Sequence, residues 1–125
     1  MDATIVICTL DRPESLKRAL DSCVAQDRSH DIAFDVVVVD NSADGNIADL
    51  IASYAGGPIE VRYVHEPRTN ISHARNAGVA AALGRYLAFV DDDMEAPQDW
   101  IGEVIACLDR TEADILMGKV VPVFE

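Results

Sequence analysis

The sequence predicts an α/β fold, a largely parallel β-sheet flanked by helices, and three observations carry that prediction. Apolar, β-prone runs alternate with helical segments along the whole 125-residue chain. Val36, Val37, Val38 and Val39 follow one another without polar interruption, as in a strand covered on both faces. A later helical segment carries Ala74, Ala77, Gly78, Ala81 and Ala82, small enough to lie very close to a sheet. Strands alternating with helices imply βαβ units and right-handed crossovers.

Each element has its own local signal. Residues 4–8 form a β-branched strand, and Pro13 then sits where the first turn of a helix accepts it. Leu16, Ala19, Leu20, Cys23 and Val24 recur at helical spacing. Residues 35–39 are the second strand; Ile47, Leu50, Ile51 and Tyr54 mark a short helix that Gly56, Gly57 and Pro58 stop. Residues 59–65 are a third strand. Ser72 is the expected N-cap of a helix reaching about Leu83, with Gly84 placed to end it. Residues 85–90 form the fourth strand, and Pro97 is expected to start a helix whose face is Trp100, Ile101, Val104, Ile105 and Leu108. Residues 113–117 and 120–124 read as a fifth and a sixth strand. An apolar, β-prone segment is an unusual place for a domain to stop, because its edge invites aggregation. Residues 1–125 are therefore expected to be a single, truncated unit of a longer domain.

Composition narrows the function. Half the residues are apolar and 26% are charged, which suits a globular domain. A formal net charge of −12 argues against a nucleic-acid partner, because phosphate backbones select basic surfaces. No apolar run approaches the roughly 20 residues that span a bilayer, and no basic region precedes an apolar stretch at the N-terminus. The expected location is cytoplasmic. Cys8, Cys23 and Cys107 are an odd, widely spaced set without CxxC pairing, and read as free thiols in a reducing compartment. His30, His65 and His73 lack spaced partners for a metal or a triad and read as surface or capping residues.

Three features carry chemistry. The fourth strand runs into Asp91, Asp92 and Asp93. Crowded carboxylates repel one another and cost free energy to desolvate, so a divalent cation is their simplest use. In an extended backbone Asp91 and Asp93 face the same way and converge on one ion, with Asp92 facing elsewhere. Mg²⁺ or Mn²⁺ suits such a site, held by one or two carboxylates and completed by phosphates. The alternative is a solvated turn that caps the following helix. Second, Asp40 ends the second strand and leads into Asn41 and Ser42, turn-forming residues; an acid there can accept hydrogen bonds from a base or ribose. Asp11, Asp40 and Asp91 all lie at carboxyl ends of strands, where ligands bind in parallel sheets. Third, Arg75 falls in the first turn of its expected helix, where a cation opposes the helix dipole. That placement suggests an anionic or planar partner, or an ion pair to Asp40 or to the 91–93 cluster. Neither GxGxxG nor GxxxxGK[ST] occurs, so a diphosphate would need a metal for charge neutralisation.

The order of these segments resembles the N-terminal, nucleotide-binding half of a family 2 glycosyltransferase of the Rossmann-like GT-A fold. The matching pieces are Ile5 to Thr9 with Arg12 and Pro13, then Val38 to Ser42, then Asn70 to Gly78, then Leu87 to Asp93. The Asn70-Ile71-Ser72 variant is similar to bacterial polysaccharide-type members.

The resemblance implies a nucleotide-sugar donor, UDP-linked, and a saccharide or lipid-linked acceptor. It implies that the turn after the first strand, Thr9, Leu10 and Arg12, packs on the nucleotide. Arg12 stands where an aromatic residue often stacks on the base. Asp40 would read the uracil and Arg75 would lie near the base. Asp91 or Asp92 would meet the ribose, and Asp93, with Asp91, would hold Mn²⁺ or Mg²⁺ as the DxD motif does. It further implies an inverting reaction whose general base is expected beyond Glu125, so that this chain alone binds donor without transferring sugar. Peripheral membrane association of the intact enzyme is compatible with the family.

Two other classes compete. A phospho-acceptor receiver module shares the length, acidity and architecture but wants an acidic pair after its first strand, and only Asp11 is there. A sugar nucleotidyltransferase would want a Gly-rich basic loop at that place, and none occurs.

Overall fold

The computed structural model describes residues 1–28, 31–118 and 120–121. The chain runs β1 (Ala3–Thr9), α1 (Pro13–Val24), β2 (Phe34–Asp40), α2 (Ala48–Ala52), β3 (Val61–His65), α3 (Ile71–Ala81), β4 (Tyr86–Phe89) and α4 (Trp100–Thr111). The four strands form one all-parallel sheet in the order β3-β2-β1-β4. β2 and β3 extend the sheet on one side of β1, and β4 is laid down on the other.

The valine run behaves as its composition demands. Val36, Val37, Val38 and Val39 have no exposed surface, because helices cover both faces of β2. On one face Ile5, Ile7, Val36 and Val38 pack with Leu16 and Leu20 of α1, Ile51 of α2 and Ile101 and Ile105 of α4. On the other, Val6, Val37 and Val39 pack with Ala74 of α3. The small residues of α3 are needed there: a Cβ on Gly78 would stand 2.5 Å from Val6 Cγ1. Isoleucine, valine and leucine side chains each contribute roughly 1.5–3 kcal/mol when fully buried, so the two cores dominate stability.

Several boundaries differ from the sequence expectations for identifiable reasons. Asn70, not Ser72, caps α3; its Oδ1 accepts the Ser72 backbone N–H at 2.8 Å. α3 therefore starts at Ile71, and Arg75 lies in its second turn. The helix ends at Ala81, with Ala82 already extended. Gly84 serves close approach instead of helix termination, since a Cβ there would lie 2.3 Å from the Ala3 carbonyl carbon. β3 begins at Val61, although the Glu60 carbonyl already accepts from Val36 N at 3.0 Å. β4 covers residues 86–89 of the expected 85–90. Pro97 sits in the turn before α4, where its carbonyl accepts from Trp100 N.

The expected fifth strand is absent: residues 113–117 form no ladder, and Ile115 and Met117 are exposed. β-Propensity is realised only against a partner strand, and none is offered to this segment among the described residues. Residues 120 and 121 are not in a strand, and the remainder of the expected sixth strand, like His30, lies outside the described residues. No helix among the described residues is long and apolar enough to cross a membrane.

Candidate functional site

Beyond the carboxyl ends of β1 and β4, where the strand order reverses, lies a cleft of about 490 Å³. Ligands in open parallel sheets bind at such places. Three connections wall it. The first leaves β1 through Thr9, Leu10 and Asp11, turns with Asp11 at φ 52°, and enters α1 through Arg12. The second is the acidic turn after β4, in which the Met94 N–H donates to the Asp91 carbonyl. The third is the segment between β3 and α3, which contributes Thr69, Asn70 and Ile71, with Arg75 one turn further along the helix.

The acidic triplet is a turn and not an extension of the strand, so strand alternation does not govern it. Asp92 is the buried member, 8% exposed. Its Oδ2 accepts the Thr9 hydroxyl at 2.9 Å, and its Oδ1 lies 3.5 Å from Arg12 Nη1. Asp91 and Asp93 are exposed on either side of it, and Arg12 Nη1 is 3.9 Å from Asp93. Asp92 is thus committed to the fold, while Asp91 and Asp93 remain available to a ligand.

Of the sequence-predicted residues, Thr9, Leu10, Arg12, Arg75, Asp91, Asp92 and Asp93 all line this one cleft. Asp40 does not. Val37 and Val39 face α3, so Asp40, at the alternate position, falls on the opposite face with Tyr63. Its carboxylate is 1% exposed and accepts from Ser42 N at 3.0 Å, Ser42 Oγ at 2.7 Å and the Tyr63 hydroxyl at 2.8 Å. Burial alone would raise its pKa, but these hydrogen bonds outweigh it and hold the carboxyl below its ordinary value. Asp11 is bonded by the Asn46 amide and is not among the cleft residues.

Arg75 makes no hydrogen bond or ion pair among the described residues, so the intramolecular salt bridge considered from sequence does not form. An arginine left without a carboxylate partner at the rim of a cleft can bind an anion or stack on a planar ring. Cys8 is half-buried on the cleft floor; burial raises its thiol pKa, Arg75 opposes this, and Asp91 and Asp92 reinforce it. It is a neutral lining group.

The carboxylates fit a hard divalent cation in a limited sense. Among the described residues no three acidic, His or Cys ligands stand ready to enclose a metal. Mg²⁺ and Mn²⁺ need no such cage, since one or two carboxylates with water and phosphate oxygens suffice. Asp91 and Asp93 can supply these, and Asp92 is held by Thr9.

Sequence reasoning missed Asn41, which lines the cleft although only 5% exposed. It read as turn chemistry, and its position directly after a strand-end acid was the available signal.

Comparison with known proteins is consistent with this geometry. The family model for glycosyl transferase family 2 matches residues 4–125. The succinoglycan biosynthesis protein ExoM of Rhizobium meliloti is 34% identical over 117 residues, covering 93% of this chain and 38% of that protein. The amylovoran biosynthesis glycosyltransferase AmsB of Erwinia amylovora is 30% identical, covering 87% and 36% respectively. The chain thus spans little more than a third of the length of these relatives. The fold matches that of Staphylococcus aureus TarS, residues 1–349, with a TM-score of 0.80 at 22% identity over 98% of this chain and 39% of that one. TarS has also been solved with UDP-GlcNAc, and that structure matches with a TM-score of 0.77, 22% identity, and coverage of 98% of this chain and 37% of that one. By sequence and fold, this chain belongs to glycosyl transferase family 2.

Proposed function

We propose that the cleft binds a nucleoside-diphosphate sugar, UDP-linked, together with Mn²⁺ or Mg²⁺, as the donor site of an inverting glycosyltransferase. The acceptor class is a saccharide or a lipid-linked saccharide, as the polysaccharide-biosynthesis relatives suggest. The observation that carries this reading is the convergence of exposed opposite charges on one cleft. Arg75 lacks a carboxylate partner, and Asp91 and Asp93 are exposed across from it, with Arg12 between the first and second walls. A diphosphate with a divalent cation is a ligand that answers both signs at once.

The residues divide the work as follows. Thr9, Leu10 and Arg12 form the surface on which the nucleotide lies. Arg75 sits near the base, where its planar cation stacks or binds a carbonyl. Asp91 and Asp93 hold the metal, and Asp92, fixed by Thr9, presents the turn to the ribose. For Asp40 to read the uracil imide, its carboxylate must exchange the Ser42 or Tyr63 hydroxyl for that N–H. When bound, the metal stabilises the negative charge developing on the departing diphosphate. Arg12, close to the same turn, adds a fixed positive charge to that stabilisation. Deprotonation of the acceptor is assigned to none of these residues. Family membership sets the receiver-like signalling alternative aside.

Titration calorimetry with UDP tests the proposal. The expected result is at least tenfold tighter binding with Mn²⁺ than in EDTA, and loss of that difference in Asp93→Ala. Equal affinity with and without metal would overturn the metal-dependent reading. Asp93 is exposed, so its removal should leave the melting temperature unchanged.

A further inference from the structure

We infer that Asn41 is a positioning residue, whose carboxamide sets the segment between β3 and α3 as a wall of the cleft. For the identity of the ligand this inference rests on the donor-binding reading above. The segment 66–70 has no regular secondary structure, yet it contributes Thr69 and Asn70 to the cleft and carries the cap of α3. Asn41 Nδ2 donates to the Glu66 carbonyl at 2.9 Å and to the Arg68 carbonyl at 3.0 Å. Its Oδ1 accepts from Asn70 N at 3.1 Å, and its backbone carbonyl accepts from Thr69 Oγ1 at 3.0 Å. Its own N–H donates to the Thr9 carbonyl at 2.9 Å, which ties the arrangement to the end of β1.

Only one orientation of the amide satisfies these partners, since a flip would set its oxygen against two carbonyls. Both amide hydrogens are used, at a site with almost no access to water. The consequence reaches the ligand through α3: Asn70 caps the helix, the helix carries Arg75, and Asn70 is held by Asn41. Asparagine, with two donors and one acceptor on one short side chain, is the residue type that does this. Aspartate has the same shape but turns an ionised acceptor toward the Glu66 and Arg68 carbonyls.

Asn41→Asp, Asn41→Ser and Thr4→Val test the inference by UDP calorimetry in Mn²⁺, thermal melting and hydrogen exchange. Thr4 lies at the far end of β1 from the cleft, so its variant controls for lost stability alone. Asn41→Asp is expected to bind UDP at least tenfold more weakly and to exchange faster over residues 66–75. Thr4→Val should stay within twofold of wild type despite a comparable fall in melting temperature. Asn41→Ser keeps one donor and covers the case in which the aspartate variant does not fold. Asn41 variants that bind within twofold of wild type would overturn the inference. If the wild type binds no UDP, the donor reading has failed; exchange over 66–75 then decides, and unchanged rates in the Asn41 variants sink the positioning role.

Discussion

At the amino end of the sheet one carboxylate is enclosed and paired, whereas at the carboxyl end two of the three clustered carboxylates and one arginine are exposed. Asp35, with a side chain 1% exposed, accepts from Arg62 Nη2 at 2.7 Å, Arg62 Nε at 3.0 Å and the Thr4 hydroxyl at 2.7 Å. Thr4 Oγ1 in turn accepts from the backbone N–H groups of Leu83 and Gly84, and Arg62 Nη1 caps the Ala81 carbonyl at 2.7 Å. The network thereby fixes the end of α3 and its connection to β4. Across the sheet, only Asp92 of the acidic turn is tied inward, through Thr9. The difference separates two uses of charge. A buried charge with every partner in the fold serves the fold, and charges without internal partners around a cleft are available to a ligand.

The largest expected effect lies at the amino end. Arg62→Met should lower stability by about 3 kcal/mol, because it strands a buried carboxylate. Urea denaturation measures the loss, and UDP affinity of the folded variant should be unchanged. A loss well under 1 kcal/mol would erase the distinction between the two ends.

Thr9→Val should act on both quantities, more weakly on stability. Losing one hydroxyl that donates to a buried carboxylate costs about 1 kcal/mol. The freed Asp92 should loosen the acidic turn and weaken UDP binding several-fold. If this variant proves as unstable as Arg62→Met, the carboxyl end is as locked as the amino end.

The smallest effect is acid sensitivity beside Asn41. The Arg68 guanidinium and backbone N–H hold the Glu66 carboxyl down to about 2 from an ordinary 4.5. A depressed carboxyl contributes stability that is fully present above its unfolded value and is lost as pH falls through the folded one. Stability should therefore decline between about pH 4.5 and pH 2, and Glu66→Gln should flatten that part of an acid titration followed by circular dichroism. Asp40 is shifted in the same direction and should add to the slope. An unaltered slope in Glu66→Gln would remove Glu66 from the account.

Much of this was legible in the chain, for a definable reason. The valines of β2, the spacing of Leu16, Ala19, Leu20 and Cys23, and the alanines of α3 are local patterns, and a repeat of 2 or 3.6 residues states which face must be buried. The run from Phe89 into three aspartates likewise placed three carboxylates at the strand end, where they line the cleft. The family pattern followed from the order of such segments. Local pattern failed where a segment's state depends on a distant one. Residues 113–117 have strand propensity without a partner. Ser72 and Asn70 are both competent caps, and the approach of the chain chose Asn70.

What the sequence by itself determined is the eight elements from β1 to α4, their buried faces and the acids and arginines at the strand ends. Tertiary structure alone decided which of those charges are spent. Thr4, Asp35 and Arg62 meet across 31 and 27 residues of chain, and Thr9 meets Asp92 across 83. No short-range period reports such meetings. Asp40, Asp92 and Asp93 are alike as letters; the pleat of β2 turned the first from the cleft, the Thr9 hydroxyl took the second, and the third was left facing water.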